Sequence, residues 1–335
     1  MFLRPSDSTG SQYRQIAVPQ WRWWTGGLGG NLYLIVTLGG LVVLFSILSP
    51  YFLQFDNMMN ITRSVSIVGI TAAGETMVLI SGGLDLSVAS VMAASGMITS
   101  ALIMHSGWAI EPARLAGVGF GIAVGLINGL IVTKGRINPL ITTLSTGFII
   151  RGLGYIASNG QTLGVIKPGY AEMGRGRLFE AVPYPVLCLV ITYTVVYFIM
   201  GYTKLGHYIY AIGGNAAACR VSGINVDRWR LTTYALCGAI AGFAGVLLSS
   251  LTGSGIPNAA IGSELVIIAG VILGGVSLSG GRGRVEGTLL GVLILGTLTN
   301  GLIMLNVQSY WHTVAQGGVL LSAVLIDAWR TGGYR

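Results

Sequence analysis

The stretch LAGVGFGIAVGLINGLIVT, residues 115–133, holds no ionisable side chain. As a helix rising ~1.5 Å per residue it covers about 30 Å, the hydrocarbon thickness of a bilayer. Within it Gly117, Gly121, Gly125 and Gly129 recur at every fourth position and fall on one smooth helix face. Such a face lets two backbones approach closely in lipid, where packing rather than water exclusion brings helices together. The rest of the chain repeats this reading. Of 335 residues, 53% are hydrophobic and 9% charged, with a mean hydropathy of +0.74, against roughly 25% charged in a soluble domain. That composition excludes a water-soluble globule. Apolar runs near 32–49, 65–81, 88–104, 115–133, 139–158, 184–201, 231–251, 258–278, 285–305 and 311–329 predict an all-α integral membrane protein of about ten transmembrane helices. A second small face, Gly238, Gly242 and Gly245, lies in the run at 231–251. Both faces are expected to pack helices within the bundle.

The net charge of +8 does not point to nucleic acid, because the basic residues stand singly in short loops, the arrangement that encodes membrane topology. With the termini on one face, thirteen of the 19 basic residues fall on that face, among them Lys134, Arg136, Lys204, Arg220, Arg228, Arg282 and Arg284. Five fall opposite (Arg63, Arg114, Lys167, Arg175, Arg177) and Arg151 lies in a span. The positive-inside rule then places both termini in the cytoplasm. Residues 1–30 read as a cytoplasmic tail ending at an interfacial anchor, Trp21, Arg22, Trp23 and Trp24; they lack the apolar core of a signal peptide. Residues 31–330 read as the membrane domain and 331–335 as a cytoplasmic C-terminus.

Two connections are long. The outer one, 159–183, exceeds the roughly 12 to 15 residues usual for an unstructured loop, which points to a partner or a gating role. The inner one, 201–230, contains GGNAAACRVSGI. Asn215 there can cap a short helix starting at Ala216, and Gly223 can end it. A short helix on the cytoplasmic face is either a docking element or a helix resting on the membrane surface.

A charge at the centre of a span costs roughly 2.5–3.5 kcal/mol on insertion scales, so Glu75, Asp85, Arg151 and Glu264 each need a physical role. Asp85 sits in SGGLDLSVAS, residues 81–90, where Gly82 and Gly83 permit a sharp break and Ser87 can cap the following helix. The expected structure is a hairpin or broken helix. Asp85 either holds that turn by local hydrogen bonds or lines a water-filled path. Thr142, Thr143, Ser145 and Thr146 form a polar stripe leading to Arg151 and Asn159, which makes this span a candidate wall of the path. Arg151 is expected to pair with Glu264 or Glu75, or else to offer its donors to substrate hydroxyls. GGLDLS at 82–87 is echoed by GGVSLS at 274–279, six residues that mark a possible pair of related hairpins.

No GxxxxGK[ST] phosphate loop is present, and His105, His207 and His312 lie far apart. Cys188, Cys219 and Cys237 have no metal or redox spacing and read as small apolar filler. The chain is therefore expected to be no enzyme and to hold no metal or cofactor. A self-contained carrier driven by an ion gradient stays open as an alternative, with Glu75 and Glu264 as its only candidate relay.

On five segments in order the chain resembles the permeases of ribose-, arabinose- and xylose-class ABC importers. They are SGGLDLSVAS (81–90), KGRINPLITTL (134–144), RGLGYIASNG (151–160), GHYIYAIGGNAAACRVSGINV (206–226) and SELVIIAGVILGGVSLSGGRGRVEGTLLGVLILG (263–296). The resemblance spans roughly 32–329. It implies a type II importer-like bundle in the bacterial inner membrane, with two permease subunits, more readily two copies of this chain than a heterodimer. It also implies cytoplasmic ATPase subunits that bind the ATP and Mg, a periplasmic sugar-binding protein, and a path built partly from the fifth helix. The ATPase would dock at Gly214, Asn215, Ala218, Ser222, Gly223 and Ile224. Ala216 and Ala217 stand where the family often carries acids, which removes the group a salt bridge from this point would need. The cargo the resemblance implies is a pentose; a signalling furanose, a nucleoside or a branched-chain amino acid remain alternatives within the same architecture.

Overall fold

The computed structural model describes residues 31–331; the expected tail at 1–30, with its tryptophan anchor, and residues 332–335 lie outside them. Among the described residues the chain forms twelve helices: α1 (Leu32–Leu48), α2 (Phe55–Ile80), α3 (Val88–Met104), α4 (Ile110–Thr133), α5 (Pro139–Ser158), α6 (Glu172–Arg175), α7 (Tyr184–Tyr202), α8 (Lys204–Val221), α9 (Val226–Thr252), α10 (Ser263–Leu273), α11 (Val285–Met304) and α12 (Ser309–Thr331). Six are long and apolar enough to cross a bilayer by length and composition alone: α2, α4, α5, α7, α9 and α11. The molecule is a multi-pass, all-α membrane protein, and ten of its helices correspond to the ten apolar runs.

Several boundaries differ from the sequence reading. α9 begins at Val226 rather than near 231, which brings Arg228 and Arg230 out of the inner loop and into the helix. The second helix begins at Phe55 rather than near 65, so Arg63 sits within α2 and not in a loop; the polar residues of that first part interrupt the hydropathy but not the helix. The fourth begins at Ile110, with Arg114 in its first turns and paired to Glu111 at 2.7 Å. The run at 258–278 is helical only over Ser263–Leu273. At ~1.5 Å per residue α10 reaches about half the bilayer, and the irregular segment before it contains β4 (Ser254–Gly255), which pairs antiparallel with β1 (Leu163–Gly164).

The core is the crossing of α4 on α9. A Cβ at Gly121 would collide with the carbonyl of Gly238, one at Gly238 with the carbonyl of Gly121, and one at Gly125 with the carbonyl of Tyr234. The two small faces visible in the sequence are thus each other's partners, and backbone rests on backbone where side chains would hold the helices apart. On the other side of α9, Gly245 abuts the Met92 carbonyl of α3, and Gly74 of α2 lies against Cys237. α9 is thereby enclosed by α2, α3 and α4.

Segment 159–183 is fastened to the bundle. The Tyr170 hydroxyl donates to Ser249 Oγ at 2.7 Å and meets Ser100 Oγ at 3.2 Å. Ser250 Oγ donates to the Tyr170 carbonyl at 2.6 Å and accepts from the Gly174 amide at 2.9 Å. Arg175 caps the end of α9 by donating to the carbonyls of Leu251 (2.7 Å) and Thr252 (2.8 Å). The hairpin of β2 (Arg177–Leu178) and β3 (Val182–Pro183) completes it. Its length therefore reflects structure of its own.

Candidate docking and gating site

The connection from α7 to α9 folds as a bent helix. Thr203 opens α8 by accepting from the Gly206 amide at 3.4 Å. At Asn215 the backbone leaves helical geometry (φ −159°, ψ 93°), and Asn215 Oδ1 accepts from the Ala218 amide at 2.9 Å, starting a second short helix. Gly223 ends it in the left-handed region (φ +80°). The Ile224 amide reaches back to the Cys219 carbonyl at 2.9 Å and the Gly223 amide to Arg220 at 3.0 Å, the glycine stop that satisfies the last carbonyls of a helix. Asn225 Oδ1 then accepts from the Arg228 amide at 3.0 Å and caps α9. Both signals read in the sequence, Asn215 as cap and Gly223 as stop, occupy those positions.

The underside of this helix is built from Ile212, Cys219 and Val226, with Tyr208 and Trp229 packed at 4.9 Å between ring centroids. Ile224 belongs to this underside, packed against the cluster. Gly214, Asn215, Ala218, Ser222 and Gly223 are exposed. The sequence reading overlooked Val221, which is 90% exposed at the tip; an apolar side chain in a helical run carries no signal of its own that it points outward. Beside it Arg220 and Asp227, paired at 3.2 Å, flank a shallow polar hollow also lined by Gly223, Ile224 and Asn225. Tyr210, on the first part of α8, donates to the Gly283 carbonyl at 3.0 Å. Burial, reinforced by the Glu286 carboxylate, pushes its phenol up to about 12.

The break between α2 and α3 buries Gly83, Asp85 and Ser87 and leaves Gly82 exposed. Gly82 takes φ +77°, and Gly83 lies under Tyr234, where a Cβ would come within 2.7 Å of the hydroxyl. Each freed amide finds a partner: Gly83 to the Val78 carbonyl (2.9 Å), Leu84 to Tyr234 Oη (3.2 Å), Asp85 to Glu75 Oε1 (3.0 Å), Leu86 to Thr143 Oγ1 (3.0 Å) and Ser87 to Asp85 Oδ1 (2.9 Å). Asp85 also accepts from the Ser87 hydroxyl at 2.5 Å, and Asn128 Nδ2 donates to Ser87 Oγ at 2.9 Å. A buried backbone group without a partner costs about 1–3 kcal/mol, and this hairpin leaves none of its five amides unpaired. Of the two roles open to Asp85, the turn-holding one fits these bonds. Ser87 occupies the N-cap position of α3 but makes no capping bond with its side chain, because that hydroxyl is committed to Asp85. Tyr234 and Asn128 were not legible beforehand; each looks like ordinary apolar-helix content until its distant partner is known.

Other expectations need correction. Arg151 donates to the Ala259 carbonyl at 3.3 Å instead of pairing with Glu75 or Glu264. Glu75 is fully buried, with Oε1 on the Asp85 amide and Oε2 receiving the Cys237 thiol at 3.7 Å; Cys237 is thus a weak donor as well as filler. Glu264 Oε2 is buried without a hydrogen bond. The polar stripe of α5 also divides. Thr142 and Thr143 are buried, Thr143 against the hairpin, whereas Ser145 and Asn159 are exposed. Thr146 bonds back to the Thr142 carbonyl at 2.9 Å, and Asn159 ends α5 with φ +51°. The echoed motifs do share geometry, offset by one residue. Val276 reaches the Val271 carbonyl at 3.2 Å as Gly83 reaches Val78, with Gly275 (φ +88°) in the place of Gly82.

Comparison with known proteins places these features in context. The family model of the branched-chain amino acid transport system / permease component matches residues 57–324. The ribose import permease protein of Escherichia coli K12 is 39% identical over 300 residues, 88% of this chain and 92% of that protein. Its counterpart in Bacillus subtilis 168 is 42% identical over 291 residues (86% and 89%). The L-arabinose ABC transporter permease protein of Azospirillum brasilense is 37% identical over 310 residues (90% and 90%). No solved structure matches.

Proposed function

The chain belongs to the family of branched-chain amino acid transport system permease components, and on that premise we propose that it is the permease subunit of an ATP-driven importer carrying a monosaccharide from periplasm to cytoplasm. The observation that carries this reading is the near-full-length identity with ribose and L-arabinose permeases. The capped helix after Asn215 adds to it, being a rigid exposed element suited to docking. The cargo is a pentose such as ribose, arabinose or xylose. A zwitterionic amino acid would want paired charges along the path, whereas among the described residues the ion pairs Arg114–Glu111 and Arg220–Asp227 both lie off α5. An ion-coupled carrier is disfavoured because Glu75 is sealed, its oxygens occupied by Asp85 and Cys237.

In this reading two copies of the chain enclose the path, along the open side of α5 where Ser145 and Asn159 are exposed and Thr146 and Arg151 half-buried. A cytoplasmic ATPase holds ATP and Mg and docks on Gly214–Ile224, with Val221 as its apolar knob. A periplasmic sugar-binding protein delivers cargo to the face that bears 159–183. The orientation rests on the excess of basic residues at the docking end. Because the binding protein captures the sugar, the permease needs only weak contacts; tight ones would slow release. It performs no chemistry itself, and alternating access follows when ATPase closure displaces the docking helices.

The test is to purify the chain with its co-eluting partners in lipid and follow ATP hydrolysis with a binding protein loaded with D-ribose, L-arabinose or D-xylose. Stimulation by one of them supports the reading. A chain that purifies without an ATPase and moves solute down an ion gradient contradicts it.

A further inference from the structure

Three segments meet where the docking segment leaves the bundle. They are the end of α2 at Ile80–Gly83, the helical residues Gly213–Gly214 of α8 just before the Asn215 kink, and the loop at Gly280–Gly283 between α10 and α11. The Gly281 amide donates to the Ile80 carbonyl at 2.8 Å. A Cβ at Gly213 would collide with that same carbonyl and with the Gly281 amide nitrogen. One at Gly280 would come within 2.9 Å of Gly82 Cα and 3.1 Å of the Gly213 carbonyl, and one at Gly281 within 2.7 Å of the Gly214 nitrogen. Gly82, Gly280 and Gly281 take φ of +77°, +81° and +71°, conformations glycine adopts without steric cost. At the rim Tyr210 of α8 holds the Gly283 carbonyl at 3.0 Å.

The nearest atoms to a Cβ at Gly213, Gly280 or Gly281 are all backbone. Close-packed groups pass displacement on instead of absorbing it, and a backbone-to-backbone seat has no rotamer to yield. The position matters because the docking helix, capped by Asn215, starts at Ala216, three residues beyond Gly213; its far end runs into α9 at Val226, and the junction is the route open at its leading end. From the junction there are two outlets. The Ile80 carbonyl ends the helix that carries Glu75 and leads into the Asp85 hairpin, which α5 grips through Thr143. Gly281 lies in the loop that joins α10 to α11.

We propose that the Ile80–Gly213–Gly281 junction transmits motion of the docking helix to both helix breaks, with Gly213 and Gly281 as positioning residues. The proposal rests on the importer reading above and adds the route by which docking reshapes the path.

The test uses the assembled complex in lipid and reads a ratio: ATP hydrolysis with a D-ribose-loaded binding protein over hydrolysis without it, or the same with L-arabinose or D-xylose where that sugar stimulates the wild type. Gly213→Ala and Gly281→Ala are expected to keep the ATPase bound and to lower the ratio by about fivefold or more. Gly119→Ala, whose Cβ would meet nothing within 4 Å, keeps the wild-type ratio. A merely structural role would reduce the amount of complex without moving the ratio. If Gly213→Ala does not accumulate, Tyr210→Phe carries the test, with a fall of about threefold for one neutral hydrogen bond. A ratio within about twofold of wild type in whichever variant carries the test overturns the proposal. A wild-type chain that never retains an ATPase overturns the importer reading instead.

Discussion

Thr143 contributes one hydroxyl, and the hairpin between α2 and α3 leans on it. It accepts from the Leu86 amide and donates to the Pro139 carbonyl at 2.9 Å. Replacing it with Val keeps the shape but strands a buried amide, at about 1–3 kcal/mol. Thermal unfolding of the solubilised protein is therefore expected to shift down for Thr143→Val and to be largely restored in Thr143→Ser. Val221 is the opposite case, a side chain that is left 90% exposed among the described residues. Val221→Asp is expected to leave the unfolding midpoint unchanged and to abolish co-purification of the ATPase; retained ATPase would remove Val221 from the docking surface. At this scale the sequence announced the ionisable residues but not their partners. Leu84 and Tyr234 are 150 positions apart and Glu75 and Cys237 are 162 apart, and local spacing carries no information on such pairs. The Asn215 cap and the Gly223 stop were legible because a cap acts within three residues of itself.

Among the elements, the α4 and α9 pair shows how a pattern becomes a contact. Gly121 and Gly238 each sit where a Cβ would strike the other's carbonyl, so Gly121→Leu must force the helices apart. Overpacking of this kind costs about 1–3 kcal/mol or more, and it is expected to lower the unfolding midpoint or prevent accumulation. Gly119→Leu, two positions away on an exposed face, should be tolerated. Equal tolerance of both substitutions would contradict the packing. The elements themselves were readable from apolar runs, with α10 the instructive exception. The apolar run at 258–278 reads as one helix, yet Ala260, Gly262 and Gly275 take positive φ (+57°, +80° and +88°) and only Ser263–Leu273 is helical. Hydropathy reports burial in lipid or protein and is silent on which backbone conformation is buried. The length of 159–183 was noticed, but its fastening by Tyr170 and Arg175 depends on α9 and could not be read locally.

For the whole molecule, the arrangement divides into a sealed part and an open part. α2, α3, α4 and α9 form a packed block in which the amides of the Asp85 hairpin all find partners, while Ser95 Oγ and Asn128 Oδ1 are buried without one. α5 presents Ser145, Phe148 and Ile149 outward, and a second copy is proposed to face it. In the assembled complex, Ser145→Cys is expected to react with a water-soluble thiol reagent and Thr143→Cys to resist it; the reverse pattern would place the path elsewhere. This chain is proposed to conduct a pentose under the power of a partner's ATP hydrolysis. The deciding measurement is uptake of radiolabelled D-ribose, L-arabinose and D-xylose into lipid vesicles holding the purified complex, with the binding protein outside and ATP inside. Uptake of one pentose that requires both ATP and the binding protein is the predicted result. Uptake that proceeds without ATP, or no uptake of any pentose beside robust uptake of a branched-chain amino acid, would contradict the account.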